Sequence, residues 1–358
     1  MRVGIITFHA SYNFGSALQA YAMQTVVESL GHTAAIIDYR GRDWDQYKLV
    51  SVRHPRKTLR VFANFRGYYE RRISFERFSA THLKLTRDRY SYANEDLLDS
   101  LQEDFDCFLC GSDQIWNLDC THGVVEPFFL SFAGDKRRVA YAPSLAHTEF
   151  RQEFFDGEKV ADLLRAFDYL SVREKETVPL FQSLVDKPID VVLDPTLLLG
   201  VGAYEKLLTE PLIKGDYIFV YLLRNCPELV KSAVAMANRT GKRIIYVAES
   251  DLPIPGGKNM FGIGPSEFLS LIANADVVLA NSFHAVVFST LFRKPFRAFA
   301  TDRSGARMRD LLDDLGMGKR CVETLDSSPI TDVDWEDVAA RLDALRVHSF
   351  DYLRKALS

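Results

Sequence analysis

One histidine stands where an anion and a proton could be handled together. In Asn274-Ala-Asp-Val-Val-Leu-Ala-Asn-Ser-Phe-His-Ala-Val-Val-Phe288, the apolar run Val277–Ala280 reads as a buried strand passing straight into a helix. Ser282 falls at the expected N-cap and His284 in the first turn. The leading N–H groups of a helix have no partner inside it, and the dipole makes that end electropositive. An imidazole there can meet an anion and move a proton in one place. Arg293, Lys294, Arg297, Arg303 and Arg307 follow. A lone histidine is more often structural, but its place in an anion-binding turn favours catalysis here.

Three other constellations end predicted strands. Asn13-Phe14-Gly15-Ser16 forms the first strand-to-helix turn. Gly15 permits a tight bend with N–H groups that a hydroxyl or phosphate can use, although many such turns only cap a helix. The turn lacks G-x-G-x-x-G, so a dinucleotide cofactor is not indicated. Cys110-Gly-Ser-Asp-Gln-Ile-Trp-Asn117 presents Ser112, Asp113, Gln114, Trp116 and Asn117 together. A Trp face with Asp and Asn beside it suits a sugar ring and its hydroxyls. The plainer alternative makes Asp113 or Ser112 an N-cap and Trp116 packing. In Leu170-Ser-Val-Arg-Glu-Lys-Glu176, Arg173 sits at a strand end, where its planar fork fits carboxylate or phosphate. Its alternative is an ion pair with a nearby acid.

These turns need a scaffold. The chain has 358 residues, 47% hydrophobic and 26% charged, which is too long for one typical core and predicts two domains. A net charge of −4 with no dominant basic stripe argues against general nucleic-acid binding. No signal peptide opens the chain and no window is apolar enough to span a membrane, so a cytoplasmic protein is expected. The five scattered cysteines point to reduced thiols. Cys107 and Cys110 are spaced C-x-x-C, but on a strand they point to opposite faces, which disfavours a shared metal. No metal-ligand cluster is expected.

Strands alternate with helices from Val3–Phe8 onward. Residues 17–30 read as a helix stopped by Gly31, followed by a strand at Ala34–Tyr39. Further strands are expected at Phe105–Cys110, Val139–Pro143, Tyr169–Val172 and Val191–Leu193. The second half repeats the pattern. A strand at Tyr217–Leu223 precedes a helix opened by Pro227 and stopped by Gly241, then a strand at Arg243–Ala248. A helix over Ser266–Ala275 is expected to be capped by Ser266. The class is α/β: two Rossmann-like doubly wound domains facing a cleft, with ligands at the carboxyl ends of the strands. The expected division is 1–205, carrying a helical basic insertion over about 43–100, then 206–334, then a helical tail 335–358.

Within that insertion, residues 53–78 hold eight basic residues, two acids and six interleaved aromatics. Two readings stay open. One is a solvated helix packed on the sheet with its arginines outward. The other is a helix resting on an anionic membrane surface, or holding a lipid diphosphate, at the inner face of the cell membrane.

The chain resembles the polysaccharide pyruvyltransferase family. The resemblance is carried, in order, by Tyr12-Asn-Phe-Gly-Ser-Ala-Leu-Gln-Ala-Tyr21, Cys110–Asn117, Val139-Ala-Tyr-Ala-Pro-Ser144, Ser171-Val-Arg-Glu-Lys-Glu176, Leu193-Asp-Pro-Thr196 and Asn281-Ser-Phe-His-Ala285. It implies a fold like that of the GT-B glycosyltransferases, phosphoenolpyruvate as donor and a glycan, lipid-linked or free, as acceptor. It makes His284 the catalytic acid or base and Arg173 a donor contact. Arg303 or Arg307 would be a second donor contact, with Arg307 better placed just before a helix at Met308–Leu312. Asp113 is the candidate to orient or deprotonate the acceptor hydroxyl. Asn13, Ser16, Ser112, Gln114, Trp116 and Asn117 are candidate acceptor contacts. The family pattern has Arg-Leu-His where this chain has Ser282-Phe283-His284. Either Ser282 and the helix N–H groups replace that arginine, or the donor is held differently. The alternatives are a nucleotide-sugar GT-B glycosyltransferase and a non-catalytic glycan-binding relative.

Overall fold

The computed structural model describes residues 1–41, 44, 58, 61–62, 64–146, 150, 153, 155–249, 252–300 and 305–358. Arg53, Arg56, Lys57, Arg60 and Arg303 lie outside the described residues.

Five strands build the first parallel sheet: β1 (Arg2–Ile6), β2 (Thr33–Arg40), β3 (Leu85–Ser91), β4 (Cys107–Cys110) and β5 (Arg137–Ala140), in the order β3-β2-β1-β4-β5. Two short parallel strands, β6 (Leu170–Val172) and β7 (Ile189–Val191), follow, and a bridge from Val139 to Tyr169 ties them to β5. The second sheet holds β8 (Tyr217–Tyr221), β9 (Arg243–Val247), β10 (Gly257–Asn259), β11 (Val277–Ala280), β12 (Phe296–Phe299) and β13 (Cys321–Val322). Its order is β10-β9-β8-β11-β12-β13, again all parallel. Among the described residues, the α-helices of nine or more residues are α1 (Phe14–Ser29), α2 (Phe65–His82), α3 (Gly157–Arg165), α4 (Pro227–Thr240), α5 (Pro265–Ala273), α6 (Phe283–Leu291), α7 (Gly305–Asp314) and α8 (Trp335–Ala356). The fold is α/β with two parallel sheets, as the alternation of apolar runs and helical segments predicts.

The central strands are buried along almost their whole length: β4 and β8 have no exposed or half-exposed position. A parallel sheet is covered on both faces, so such strands read as continuous apolar runs rather than alternating ones. Each fully buried aliphatic side chain contributes about 1.5–3 kcal/mol. Separate cores form on the two sheets, one around Phe108, Trp116, Phe128 and Phe129, the other around Ile218, Val220, Leu229 and Leu279. Cys107 and Cys110 belong to the first sheet, and burial pushes the Cys107 thiol up to about 12 and that of Cys110 well above its ordinary value.

The chain divides into two compact units. Unit 1 comprises Met1–Lys48, Ser79–Leu199 and Ala344–Ser358; unit 2 comprises Leu49–Phe78 and Gly200–Asp343. The sequence-based division placed 49–78 with the first domain and kept the tail separate. Here the second boundary falls inside α2 and the last inside α8.

Other departures have local causes. The insertion is not wholly helical, because β3 forms the edge of the first sheet. Its sequence, Leu-Thr-Arg-Asp-Arg-Tyr-Ser, buries only Tyr90, so it carries no apolar signal. Helix α5 starts at Pro265 rather than Ser266, and Glu267 reaches back to accept from the Gly264 N–H at 3.1 Å. Pro suits the first helical position because its missing donor has no helical partner anyway. Strands β5 and β7 end before the expected Pro143 and Leu193. Among the described residues, no helix is long and apolar enough to cross a membrane.

Candidate functional site

In unit 1 the carboxyl ends of β1, β4, β5, β6 and β7 meet in one polar network. Asn13 caps α1, its Oδ1 accepting from the Gly15 and Ser16 N–H groups at 2.9 and 3.3 Å. The cap aims Ser16, whose hydroxyl donates to Asp113 Oδ2 at 2.5 Å. Gln19, one turn on, donates to Thr7 Oγ1 (2.9 Å) and accepts from the Ser112 N–H (3.2 Å). These bonds tie the end of β1 to the end of β4. Gly111 is obligatory between them: its φ is +109°, and a Cβ there would lie 2.1 Å from the Tyr141 carbonyl oxygen. Asp113 follows with φ +67°, a left-handed backbone that Asp tolerates better than most residues.

Arg173, at the end of β6, lies buried among carboxylates. Its Nη1 donates to Asp194 Oδ2 at 2.6 Å and its Nε to Glu174 Oε1 at 3.3 Å. Ser144 donates to Glu174 at 2.5 Å, while Asp194 Oδ1 accepts from the Thr196 hydroxyl and N–H at 2.6 and 3.0 Å. Burial opposes the Arg173 charge, but Glu174, Asp194 and Asp113 outweigh it and raise the guanidinium above its ordinary pKa. One cation is thus set among three acids. An anion brought here meets a surplus of negative charge, which is an ion-pair geometry more than a donor grip.

A second ionic knot braces the other side of the first sheet. Asp38 accepts from His9 Nε2 (3.0 Å), Arg40 Nε (2.9 Å) and Arg89 Nε (2.9 Å). Burial raises its carboxyl, but the bonds and charges of His9 and Arg40 prevail and hold it well below the usual range. His9 lies in the loop between β1 and α1, so this knot anchors the segment that leads to Asn13 and the first turn of α1, which carries Ser16.

The structure reduces the predicted acceptor set. Trp116 is 1% exposed, stacked on Phe129 at 5.1 Å, edged by Phe167 and met by a tilted Phe181, with its N–H donated to the Phe128 carbonyl. No face is left for a sugar, and the packing alternative holds. Ser112 is wholly buried, with its hydroxyl on the Ala142 carbonyl at 2.8 Å. Asn117 caps the short helix Leu118–Thr121 and donates to Gln114 Oε1 at 2.9 Å. That leaves Asp113 with its donor Ser16, and half-buried Gln114 and Asn13. Sequence reading passed over His9, Asp38, Gln19 and Asp194 as site residues. Only Asp194 carries a local signal, an Asp directly before Pro195 that starts a 3-10 turn.

In unit 2, β11 runs into α6 as expected. Asn281 braces the junction, its Oδ1 accepting from the Leu223 N–H and its Nδ2 donating to the Arg224 carbonyl, both at 2.8 Å. Ser282 is the N-cap residue, with extended backbone, but its hydroxyl makes no capping bond. His284 is 9% exposed in the first turn. Its ring meets the edge of Phe283 at 5.3 Å, and the Arg307 guanidinium lies 6.0 Å over that same ring. Arg307 is within the first turn of α7, not before the helix. Three of the other downstream cations have structural partners. Arg293 pairs with Glu336 at 2.8 Å, Lys294 donates to the Ala273 carbonyl at the end of α5, and Arg297 pairs with Asp326 at 3.0 Å. Among the described residues, no group of three or more His, Cys, Asp or Glu side chains converges as metal ligands would.

The family model "Polysaccharide pyruvyl transferase" matches residues 13–303. No curated protein sequence matches significantly. Among solved structures, a putative UDP-N-acetylglucosamine 2-epimerase from Listeria monocytogenes superposes with a TM-score of 0.52 at 9% identity, over 99% of this chain and 90% of that one. The UDP-GlcNAc 2-epimerase from Methanocaldococcus jannaschii gives 0.52 at 12% identity, over 96% and 92%. An alpha-glucosyltransferase in complex with UDP and DNA gives 0.51 at 11%, over 99% and 95%. At such identities the likeness establishes the fold and nothing finer.

Proposed function

This chain belongs to the polysaccharide pyruvyl transferase family, and on that premise we propose that it moves a pyruvyl group from phosphoenolpyruvate to a sugar of a surface polysaccharide or its lipid-linked precursor. The observation that supports this most is the opening of α6, where His284 and Arg307 flank one phenylalanine ring beside the first N–H groups of a helix.

The donor carries a phosphate and a carboxylate and needs positive charge for both. In this reading the α6 N–H groups, the Ser282 hydroxyl, Arg307 and Arg303 provide it. His284 gives a proton to the donor's methylene carbon. The adjacent carbon becomes electrophilic and takes a sugar hydroxyl, with Asp113 orienting that hydroxyl and accepting its proton. The carbon–oxygen bond to phosphate then breaks, phosphate leaves with the electron pair, and a second hydroxyl closes the ketal. Two hydroxyl protons are released: the one Asp113 accepts departs with phosphate, and the one freed by ring closure restores His284. Arg173 takes a different place from the one the resemblance gives it. It is a positioning residue that holds Asp194 and Glu174 and offsets Asp113.

The test is direct. The purified chain, given phosphoenolpyruvate and a glycan acceptor fraction, should release inorganic phosphate and leave the glycan heavier by one pyruvyl increment in mass spectrometry. Thermal stabilisation by nucleotide sugars but not by phosphoenolpyruvate would overturn the reading in favour of a glycosyltransferase.

A further inference from the structure

Helix α2 has two faces of different character. Tyr68, Arg71, Phe75 and Phe78 turn inward within unit 2. Tyr68 donates to Glu249 at 2.7 Å and meets Phe261 edge-on at 4.7 Å, and Arg71 lies over the Phe75 and Phe261 rings and donates to the Phe261 carbonyl. This half matches the expectation of a packed insertion. The opposite face does not. Phe65 is 52% exposed, Tyr69 48% and Ile73 36%, and Phe62 just before the helix is 67% exposed. At 100° per residue, Phe65, Tyr69 and Ile73 fall within one stripe about 80° wide. Elsewhere among the described residues, exposed large apolar side chains are scattered; here four crowd into twelve positions. Single exposed apolar residues need no explanation, whereas a contiguous stripe of aromatics does.

The charge beside the stripe says what covers it. Glu70 and Glu76 are matched within the helix by Arg66 (2.7 Å) and Arg72 (2.8 Å). Exposed Arg77 is then in excess, and Arg53, Arg56, Lys57 and Arg60 precede the stripe in sequence. Residues 53–78 therefore carry eight cations against two acids in a chain whose net charge is −4. A second copy would bring this cationic segment against itself, which is unfavourable in an isologous contact. A surface of anionic headgroups over acyl chains complements both the charge and the aromatic stripe.

We propose that the outward face of α2, presenting Phe65, Tyr69 and Ile73 beside Arg66 and Arg77, docks on an anionic phospholipid bilayer. The helix lies in the headgroup plane and does not cross the bilayer. The inference is independent of the reaction and is tested without it. The full chain should sediment with vesicles containing phosphatidylglycerol and not with vesicles of phosphatidylcholine alone, and added salt should weaken the binding. The Phe65→Ser/Tyr69→Ser/Ile73→Ser variant should lower vesicle affinity about tenfold or more, and Arg66→Glu/Arg77→Glu by a similar factor. Circular dichroism and turnover on a soluble acceptor should stay at the parent level in both, since none of these residues is assigned to the reaction. Three results would overturn the proposal: equal binding to neutral and anionic vesicles, undiminished binding by the triple variant, or a light-scattering mass that falls from dimer to monomer when the stripe is replaced.

Discussion

The strand ends of unit 1 and the β11–α6 turn of unit 2 handle charge in opposite ways. In unit 1 the cations described above already face acids: Arg173 meets Asp194 and Glu174, and Arg40 and Arg89 meet Asp38, which also accepts from His9. In unit 2 the helix opening brings together backbone N–H groups, a titratable ring and a guanidinium around Phe283. A site that is satisfied before substrate arrives can orient a hydroxyl but gains little from an anion. A helix opening with an imidazole and a guanidinium beside it gains more from one. On the proposed function, this comparison favours the acceptor in unit 1 and the donor in unit 2, with Arg173 positioning rather than gripping.

The sharpest way to break that division is at His284. If it moves the proton to the donor, His284→Gln should lower kcat about 10²–10⁴-fold, because general acid–base help has that size. Donor KM should change far less. Turnover within a factor of about three of the parent would remove His284 from the chemistry.

Arg173 tests the other half. Replacing it by Met leaves Asp194 and Glu174 buried without their cation, and breaking such a cluster costs about 3–5 kcal/mol. Denaturant unfolding should show that loss. The milder Arg173→Lys separates positioning from grip. A positioning residue should lower kcat while donor KM stays within about threefold of the parent, whereas loss of a charge-assisted donor contact should raise KM about tenfold or more.

Asp38 gives the charge-satisfied half a signature in pH. Its folded pKa is held below the usual carboxylate range. Its contribution is therefore fully present above the unfolded value of about 3.9 and is lost as pH falls through that value toward the folded one. Asp38→Asn should cost about 3 kcal/mol at neutral pH and flatten the fall in stability below about pH 4. An unchanged acid limb would mean that the knot around Asp38 does not contribute as its geometry implies.

The two halves were not equally legible in the sequence. The β11–α6 turn could be read because its signals are local: an apolar run, a Ser at the cap, a His two residues on. The same locality exposed α4, with Pro227 at its start and left-handed Gly241 at its end. Unit 1 resisted because its partners are far apart in the chain. Arg173 meets Asp194, His9 meets Asp38, and Gln19 meets Ser112 only once parallel strands align their ends. Trp116 misled for a related reason. Its stretch of sequence also holds Ser112, Asp113, Gln114 and Asn117, whereas its neighbours in space are Phe129, Phe167 and Phe181. Strand β3 was missed because an edge strand with one buried residue looks like loop.

Ser282 is where the comparison is finest. An N-cap serine replaced by Ala commonly costs about 0.5–2 kcal/mol, because its oxygen holds an N–H of the first turn. Here the residue has N-cap backbone geometry without that bond. Ser282→Ala should therefore leave unfolding free energy within about 0.5 kcal/mol of the parent, below the usual capping cost. If the hydroxyl instead holds donor oxygen where the family pattern has arginine, the same variant should raise donor KM about fivefold, the worth of roughly one hydrogen bond, with kcat little changed. A stability loss with no KM change would make Ser282 an ordinary cap. The anion would then rest on Arg307, Arg303 and the helix N–H groups alone.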